Sequence, residues 1–221
     1  MSIRKADLSD LDAMVEVALV AMPMDPQWDY RFPHRKHYPE DTLKFTRERF
    51  KMFLENESGE WHVMVAELPS RENPTVFKVA AFAVWRLPPS GEQVASDAEK
   101  APVEQRRDAD VERMRAFSES LGEARKHYFE RVYGKNRMHL ILLATHPEYQ
   151  RRGAGGTLAS WGMEKAKEDG LATTLFASPM GRQLYLRLGF RDLGAIKIQV
   201  DGETESICVG VMAYVPASDE A

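Results

Sequence analysis

The sequence predicts a mixed α/β domain built on a single, mainly antiparallel sheet with helices packed against it. Three observations carry that prediction. Two apolar runs at 61–68 and 75–86 are joined by a proline-bounded link, the mark of an antiparallel hairpin. A continuous apolar run at 137–145 leads through a glycine-rich turn into a helical pattern. A further strand, a helix and a second hairpin then follow, so strands and helices alternate to the end.

The elements fall in order. Ser2 to Lys5 reads as a short edge strand. Asp7 is placed to cap a helix with Asp10 in its first turn, where a carboxylate suits the positive end of the dipole. Leu8, Leu11, Val15, Ala18, Leu19 and Met22 recur at helical spacing and predict its buried face. Pro23 and Pro26 end that helix. Residues 22–40 read as a proline- and aromatic-rich connection, either a lid or a cover for the sheet. A second helix over 41–55 turns Leu43, Phe50, Phe53 and Leu54 inward. The polar, breaker-rich stretch 88–102 is expected to be an exposed loop. Val111, Met114, Phe117, Leu121, Ala124, Tyr128 and Val132 then form a helical stripe in a charged segment, an amphipathic helix inserted before the 137–145 strand. Residues 173–177 form a strand, 180–188 a helix, and 189–200 with 206–215 a hairpin turning at Asp201-Gly202. Residues 1–221 read as one domain, with 87–134 a loop-plus-helix insertion.

Composition excludes several functions. The 221 residues are 43% hydrophobic and 29% charged, enough to build a core without a disulfide or metal staple. A net charge of −4 argues against nucleic acid as the main partner, because phosphate binding needs a basic surface. The longest apolar runs are of strand length, too short to span a bilayer. No signal-peptide pattern opens the chain, and Cys208 is the one cysteine, so a cytoplasmic location is expected. That thiol lies in an apolar strand pattern, where it is expected to be inert. Asp25, Asp29, His34 and His37 match no usual metal spacing, and no metal is expected.

The chemistry concentrates in Gln150-Arg151-Arg152-Gly153-Ala154-Gly155-Gly156-Thr157, directly after a buried strand and opening a helix. Glycines let a backbone approach a phosphate, and the unpaired N–H groups of a helix N-terminus point at it. A nucleoside-triphosphate loop would need Gly-Lys-Ser/Thr, which is absent. A dinucleotide fingerprint fails because its third glycine position holds Leu158.

This octet resembles the Q/R-x-x-G-x-G/A signature of the GNAT acyltransferases, which cradles the pyrophosphate of CoA. The lead-in Leu143-Ala144-Thr145-His146-Pro147-Glu148-Tyr149 resembles the strand end and bend that precede the signature. Leu184-Tyr185-Leu186-Arg187-Leu188-Gly189-Phe190 resembles the second family landmark, a helix ending in Gly-Phe. The resemblance covers about residues 137–193.

It implies a GNAT-type fold and a reaction in which acetyl-CoA gives its acetyl group to an amine. It implies that Leu143, Ala144 and Thr145 bind the pantetheine arm through their backbone. Gln150, Arg151, Arg152, Gly153, Ala154, Gly155, Gly156 and Thr157 would hold the pyrophosphate. Tyr185 would protonate the departing thiolate. Ser178 stands where many members have an asparagine that contacts pantetheine. Histone-type members carry a glutamate base eleven positions before the signature glutamine; His139 stands there in this chain. Strand alternation places His139 on one face with Ile141, Leu143 and Thr145, and a histidine titrating near neutrality suits a base. The aromatic connection and inserted helix favour a small-molecule amine as acceptor. A protein N-terminus or lysine is the alternative acceptor, and a non-catalytic acyl-CoA-binding module is a third reading. A homodimer is compatible with the resemblance, and no nucleic acid or membrane partner is expected.

Overall fold

The computed structural model describes residues 1–57, 59–88 and 106–216. Seven strands form one sheet in the order β1-β2-β3-β4-β5-β7-β6. They are β1 (Ser2–Lys5), β2 (Trp61–Pro69), β3 (Phe77–Arg86), β4 (Met138–Thr145), β5 (Thr173–Ala177), β6 (Arg191–Ile198) and β7 (Ile207–Tyr214). Only β4 and β5 run parallel; every other neighbouring pair is antiparallel. The predicted fold class holds.

The helices are α1 (Leu11–Ala21), α2 (Pro26–Arg31), α3 (Pro39–Glu55), α4 (Val111–Ala124), α5 (Arg131–Tyr133), α6 (Ala154–Glu168) and α7 (Pro179–Arg187), with a π-helical segment, Arg125–Glu130, between α4 and α5. Asp7 and Asp10 form a reciprocal capping box at the chain's first helical turn. The exposed Leu8 is part of that 3-10 turn rather than of α1, so it leaves the buried face predicted for it. Leu43 is exposed as well, whereas Phe50 and Phe53 are fully enclosed as expected. Cys208 is exposed, a correction to its expected apolar surroundings. The loop expected at 88–102 lies almost wholly outside the described residues.

Two apolar layers flank the sheet. On one face α6 and α7 pack with Met64, Ala83, Trp85, Leu140 and Leu175. On the other, α1 and α3 pack with Val65, Phe82, Val84 and Ala144. Beyond them, Tyr30 of α2 and Phe117 and Leu121 of α4 cover Phe176, Ile198 and Val209.

A β-bulge decides which side chains of β4 face which layer. Leu142 pairs with Val84 and Leu140 with Trp85, so Ile141 is the extra residue. Met138, Leu140 and Leu143 consequently pack with α6, while Ile141, Leu142 and Ala144 pack with α1. Simple alternation had placed His139, Ile141, Leu143 and Thr145 together. The bulge moves Leu143 and Thr145 to the opposite face from Ile141.

Gly162 of α6 sits directly over the fully buried Trp85, so an added Cβ would land inside the indole ring. That contact sets how closely α6 approaches the sheet. Gly162→Ala should therefore destabilise the protein by about 3 kcal/mol through overpacking, read as a lowered urea midpoint at unchanged slope.

Candidate functional site

The site begins where β4 and β5 part. They pair only at Met138–Thr173, His139–Thr174 and Leu140–Leu175. Beyond Leu140, β4 stays bonded to β3 through Ala81–Thr145, Phe82–Ala144 and Ala83–Leu143, whereas Ala177 of β5 pairs with Gly210 of β7. The two central strands thus open into a cleft whose wall is the backbone of Leu143, Ala144 and Thr145. Backbone groups that a continued ladder would have used are left for a ligand.

The glycine-rich turn lies at the mouth of this cleft. Arg151 has φ 63° and Gly153 φ 90°, both left-handed, and this geometry turns the chain sharply into α6. No side chain caps the helix. The Thr157 N–H and hydroxyl both donate to the Gly153 carbonyl, at 3.0 and 3.2 Å. Among the described residues, the N–H groups of Ala154, Gly155 and Gly156 have no acceptor. Three free donors at the positive end of a fifteen-residue helix are an arrangement that can receive an anion. Arg151 and Arg152 are exposed beside it, with the Arg152 guanidinium 5.4 Å from the Tyr149 ring centre.

Gly155 joins the turn to the cleft. A Cβ there would meet Thr145 Oγ1 at 3.5 Å, Leu184 Cδ2 at 3.7 Å and Leu143 Cδ2 at 3.8 Å. The helix start, the end of β4 and α7 therefore converge at one point. Uncapped donors above an open strand edge fit a long ligand with a pyrophosphate at one end.

Some predicted contacts take a different form. Gln150 Nε2 donates to the Thr145 carbonyl at 3.3 Å and lies 3.9 Å from Met24 Sδ, so Gln150 braces the end of β4. Ser178 caps α7 by accepting from the Gly181 N–H at 3.2 Å, which leaves its hydroxyl proton available to a ligand.

Tyr185 is buried in α7, edge-on to Phe190 with ring centres 5.7 Å apart. Gly181 lies one turn earlier, and a Cβ there would come within 3.0 Å of Tyr185 Cε2. The missing side chain lets the ring lie against its own helix. Burial raises the Tyr185 pKa well above the ordinary phenol value, and the Asp25 carboxylate adds to the effect. The phenol stays protonated throughout the neutral range.

Sequence reasoning missed Gly181 and Asp25, and with them the helix α2 inside the stretch taken as a connection. A local signal was present: Asp25 accepts from the Gln27 N–H at 3.0 Å and Pro26 follows at the first helical position, the pattern of a helix start.

His139 is enclosed at the start of β4, among Phe129 of the π-helical segment and Phe176 of β5. Thr174 Oγ1 donates to the Met138 carbonyl at 3.3 Å, so it accepts from His139 Nδ1–H at 2.8 Å. Burial, and then the positive charges of Arg125, Arg137 and Arg86, push its pKa well below the ordinary histidine value. His139 is therefore neutral. It sits where β4 and β5 are still paired, short of the cleft.

No group of three or more His, Cys, Asp or Glu side chains among the described residues is arranged to hold a metal. None of the described helices is long and apolar enough to cross a membrane.

Comparison with known proteins bears on this geometry. Residues 119–190 match the model of the acetyltransferase (GNAT) family. This stretch, about a third of the chain, is similar to the acetyltransferase (GNAT) family. An acetyltransferase of Stachybotrys chartarum is 24% identical over 214 residues, covering 96% of this chain and 90% of that protein. The Drosophila melanogaster polyamine N-acetyltransferase, which forms N-acetylagmatine, superposes with a TM-score of 0.65 at 13% identity, covering 97% of this chain and 99% of that one. The PaiA N-acetyltransferase of Thermoplasma acidophilum, solved with coenzyme A, gives 0.50 at 15% identity, covering 97% and 98%. GNAT acetyltransferases use acetyl-CoA, and the uncapped α6 turn with the β4–β5 cleft is a fitting cradle for it.

The state of His139 has a consequence for the stability of this domain. An unfolded histidine takes up a proton near pH 6.5, whereas the buried one does not. Its contribution is therefore complete above about pH 6.5 and lost as pH falls below that value, at up to about 1.4 kcal/mol per pH unit. His139→Gln should flatten this acid limb relative to the parent in urea unfolding between about pH 5 and 7.5.

Proposed function

We propose that this protein transfers an acetyl group from acetyl-CoA to the primary amine of a small molecule, by direct attack with both substrates bound. The observation that carries the proposal is the convergence of the uncapped α6 turn, the end of β4 and Leu184 of α7, the neighbour of Tyr185, at Gly155 beside the opening between β4 and β5. The free N–H groups of Ala154, Gly155 and Gly156 would hold the pyrophosphate, with Arg151 and Arg152 adding charge from outside. The backbone of Leu143, Ala144 and Thr145 would pair with the pantetheine arm, as a neighbouring strand would, and Ser178 would donate its remaining hydroxyl proton to it.

A backbone N–H on the open edge of β4 would donate to the thioester carbonyl oxygen as negative charge builds there. The amine nitrogen bonds to the carbonyl carbon, the carbon–sulfur bond breaks, and Tyr185 gives its proton to the sulfur. Holding both partners in one cleft supplies much of the rate by proximity. The amine must lose a proton. His139 is neutral and could accept one, but it is enclosed and its Nδ1 is committed to Thr174, so we assign it a structural part. Asp25 is the better-placed acceptor, being half-exposed and near enough for its charge to act on Tyr185.

Two features support a small acceptor. Helices α2 and α4 roof the β6–β7 side of the cleft, and Arg113 ties that roof to the β6–β7 turn through Glu203 at 2.9 Å and Glu205 at 2.8 Å. The fly enzyme of the same fold acts on a small amine.

Thermal unfolding with CoA tests the donor site. Saturation at about a hundred times the dissociation constant adds about 2.7 kcal/mol, and the midpoint should rise. Gly155→Trp, which fills the junction of turn and cleft, should abolish the rise, and Arg152→Ala should reduce it. No rise in the parent protein at saturating CoA would end the assignment. Tyr185→Phe should keep the CoA-induced rise and lower kcat about a hundredfold or more, with the loss smaller for thioesters of better leaving groups.

A further inference from the structure

Helix α2 carries hydrogen-bond donors that have nothing to bond. The buried atoms Gln27 Nε2 and Trp28 Nε1 have no partner among the described residues. Trp28 is 7% exposed, so water does not reach its indole N–H freely. Arg31 adds a cation to the same turn. Its Nε donates to the Gln27 carbonyl at 3.1 Å, which folds the side chain back towards the start of the helix. The guanidinium lies 5.8 Å from the Trp28 ring centre, 5.2 Å from Phe32 and 4.2 Å from Phe117 of α4.

No carboxylate bonds to Arg31 among the described residues, and its neighbours differ in this respect. Arg35 pairs with Asp29 at 2.6 Å, Arg106 with Asp108 at 2.7 Å, and Arg107 with Asp41 at 2.5 Å. Burial pushes the Arg31 pKa down; Arg49 and Arg106 push it the same way, and Asp25 alone opposes them. A desolvated cation amid other cations is costly unless an anion completes it. The two orphaned nitrogen donors of Gln27 and Trp28, on the same short helix as that cation, call for oxygen acceptors.

The placement connects this cluster to the reaction. Asp25 caps α2, and its charge acts on both Tyr185 and Arg31. About 9 Å of helix axis separates Asp25 from Arg31, and the fold-back of Arg31 closes part of that distance. A small molecule with an amine at one end and an anion at the other would match the charges of Asp25 and Arg31. A polyamine would instead set a second cation against Arg31.

We propose that Arg31, with Gln27 and Trp28, forms a subsite for the carboxylate of the acceptor, so that the acceptor is an amine of the amino-acid class. This rests on the acetyl-transfer reading above. Because CoA also carries phosphates, the test must separate the two anions.

The experiment uses the full chain saturated with CoA, and reads the additional thermal shift from a panel of N-acetyl-L-amino acids. Each is matched with the N-acetylamine that lacks its carboxylate. At least one acid should raise the midpoint above CoA alone, and its decarboxylated partner should bind at least tenfold more weakly. Arg31→Gln should keep the shift from CoA alone and lose at least tenfold in apparent affinity for that acid, while its weak binding of the partner stays the same. Arg31→Lys, which keeps the charge but not the fork, should fall between.

The subsite is refuted if no acid outperforms its partner, or if Arg31→Gln binds the acid as tightly as the parent. It is also refuted if Arg31→Gln loses the shift from CoA alone, since the anion would then be the CoA phosphate. Absence of any CoA shift in the parent would instead refute the acetyl-transfer reading itself. Should Arg31→Gln fail to fold, the parent's comparison of acid with partner, repeated on Arg31→Lys, still decides.

Discussion

The parting of β4 from β5 is the constraint on which the candidate site depends. A parallel pair is normally buried and continuous, since each unmade ladder bond leaves a polar group unpaired. Here the pair lasts for three residues, after which β5 turns to β7 and β4 remains with β3. The cost of the unused backbone groups is tolerable only where water or a ligand can reach them. The opening therefore produces the cleft and leaves backbone groups along β4 that an extended, amide-bearing ligand could pair with in place of the missing strand.

The helices around the opening are held at distances set by small residues. Gly162 lets α6 settle onto Trp85, Gly155 keeps the junction of helix, strand and α7 clear, and Gly181 makes room for the Tyr185 ring. None of these three needs a left-handed backbone; each is a matter of space. The turn that opens α6 is the contrasting case, because Arg151 and Gly153 are both left-handed there. Arg151 accepts a strained conformation that glycine would adopt at no cost. In return, a guanidinium is carried beside the free N–H groups.

Much of this was readable in the sequence, for physical reasons that also mark where reading stopped. The strand-turn-helix over 137–168 is local: an apolar run, a glycine turn and a helical stripe leave traces within thirty residues or so. The buried face of β4 was misjudged because a bulge depends on how β3 pairs across the sheet, and one extra residue reverses the alternation after it. Leu8 was placed in the helix because the spacing fits, although the first turn is 3-10 and points it outward. The chemical type of His139 suggested a base, whereas its pKa is held down by burial, with Phe129 and Phe176 packed on the ring, and then by the charges of Arg125, Arg137 and Arg86. Helix α2 was hidden by its brevity. Six residues are too few for a periodic pattern, leaving only its cap and its proline as signals.

Such a short helix would not persist alone, so its stability must come from what surrounds it. Tyr30 packs on Ile198 and Val209, Trp28 on Phe32 and Ala109, and the Asp110 N–H donates to the Arg31 carbonyl at 3.0 Å. The segment that closes over α2 is itself fixed by the buried Asp108, held by Arg106 and by Thr42 Oγ1 at 2.9 Å. These contacts hold the backbone and the apolar parts of α2, yet they leave its polar ends unanswered. A helix retained only for packing could bury leucine or phenylalanine at positions 27 and 31 at lower cost. Keeping Gln27 and Arg31 there, with the Trp28 indole N–H unbonded beside them, spends stability that packing does not return. The carboxylate subsite proposed for α2 would answer that imbalance, with the Asp25 charge that acts on Tyr185 at the start of the same helix.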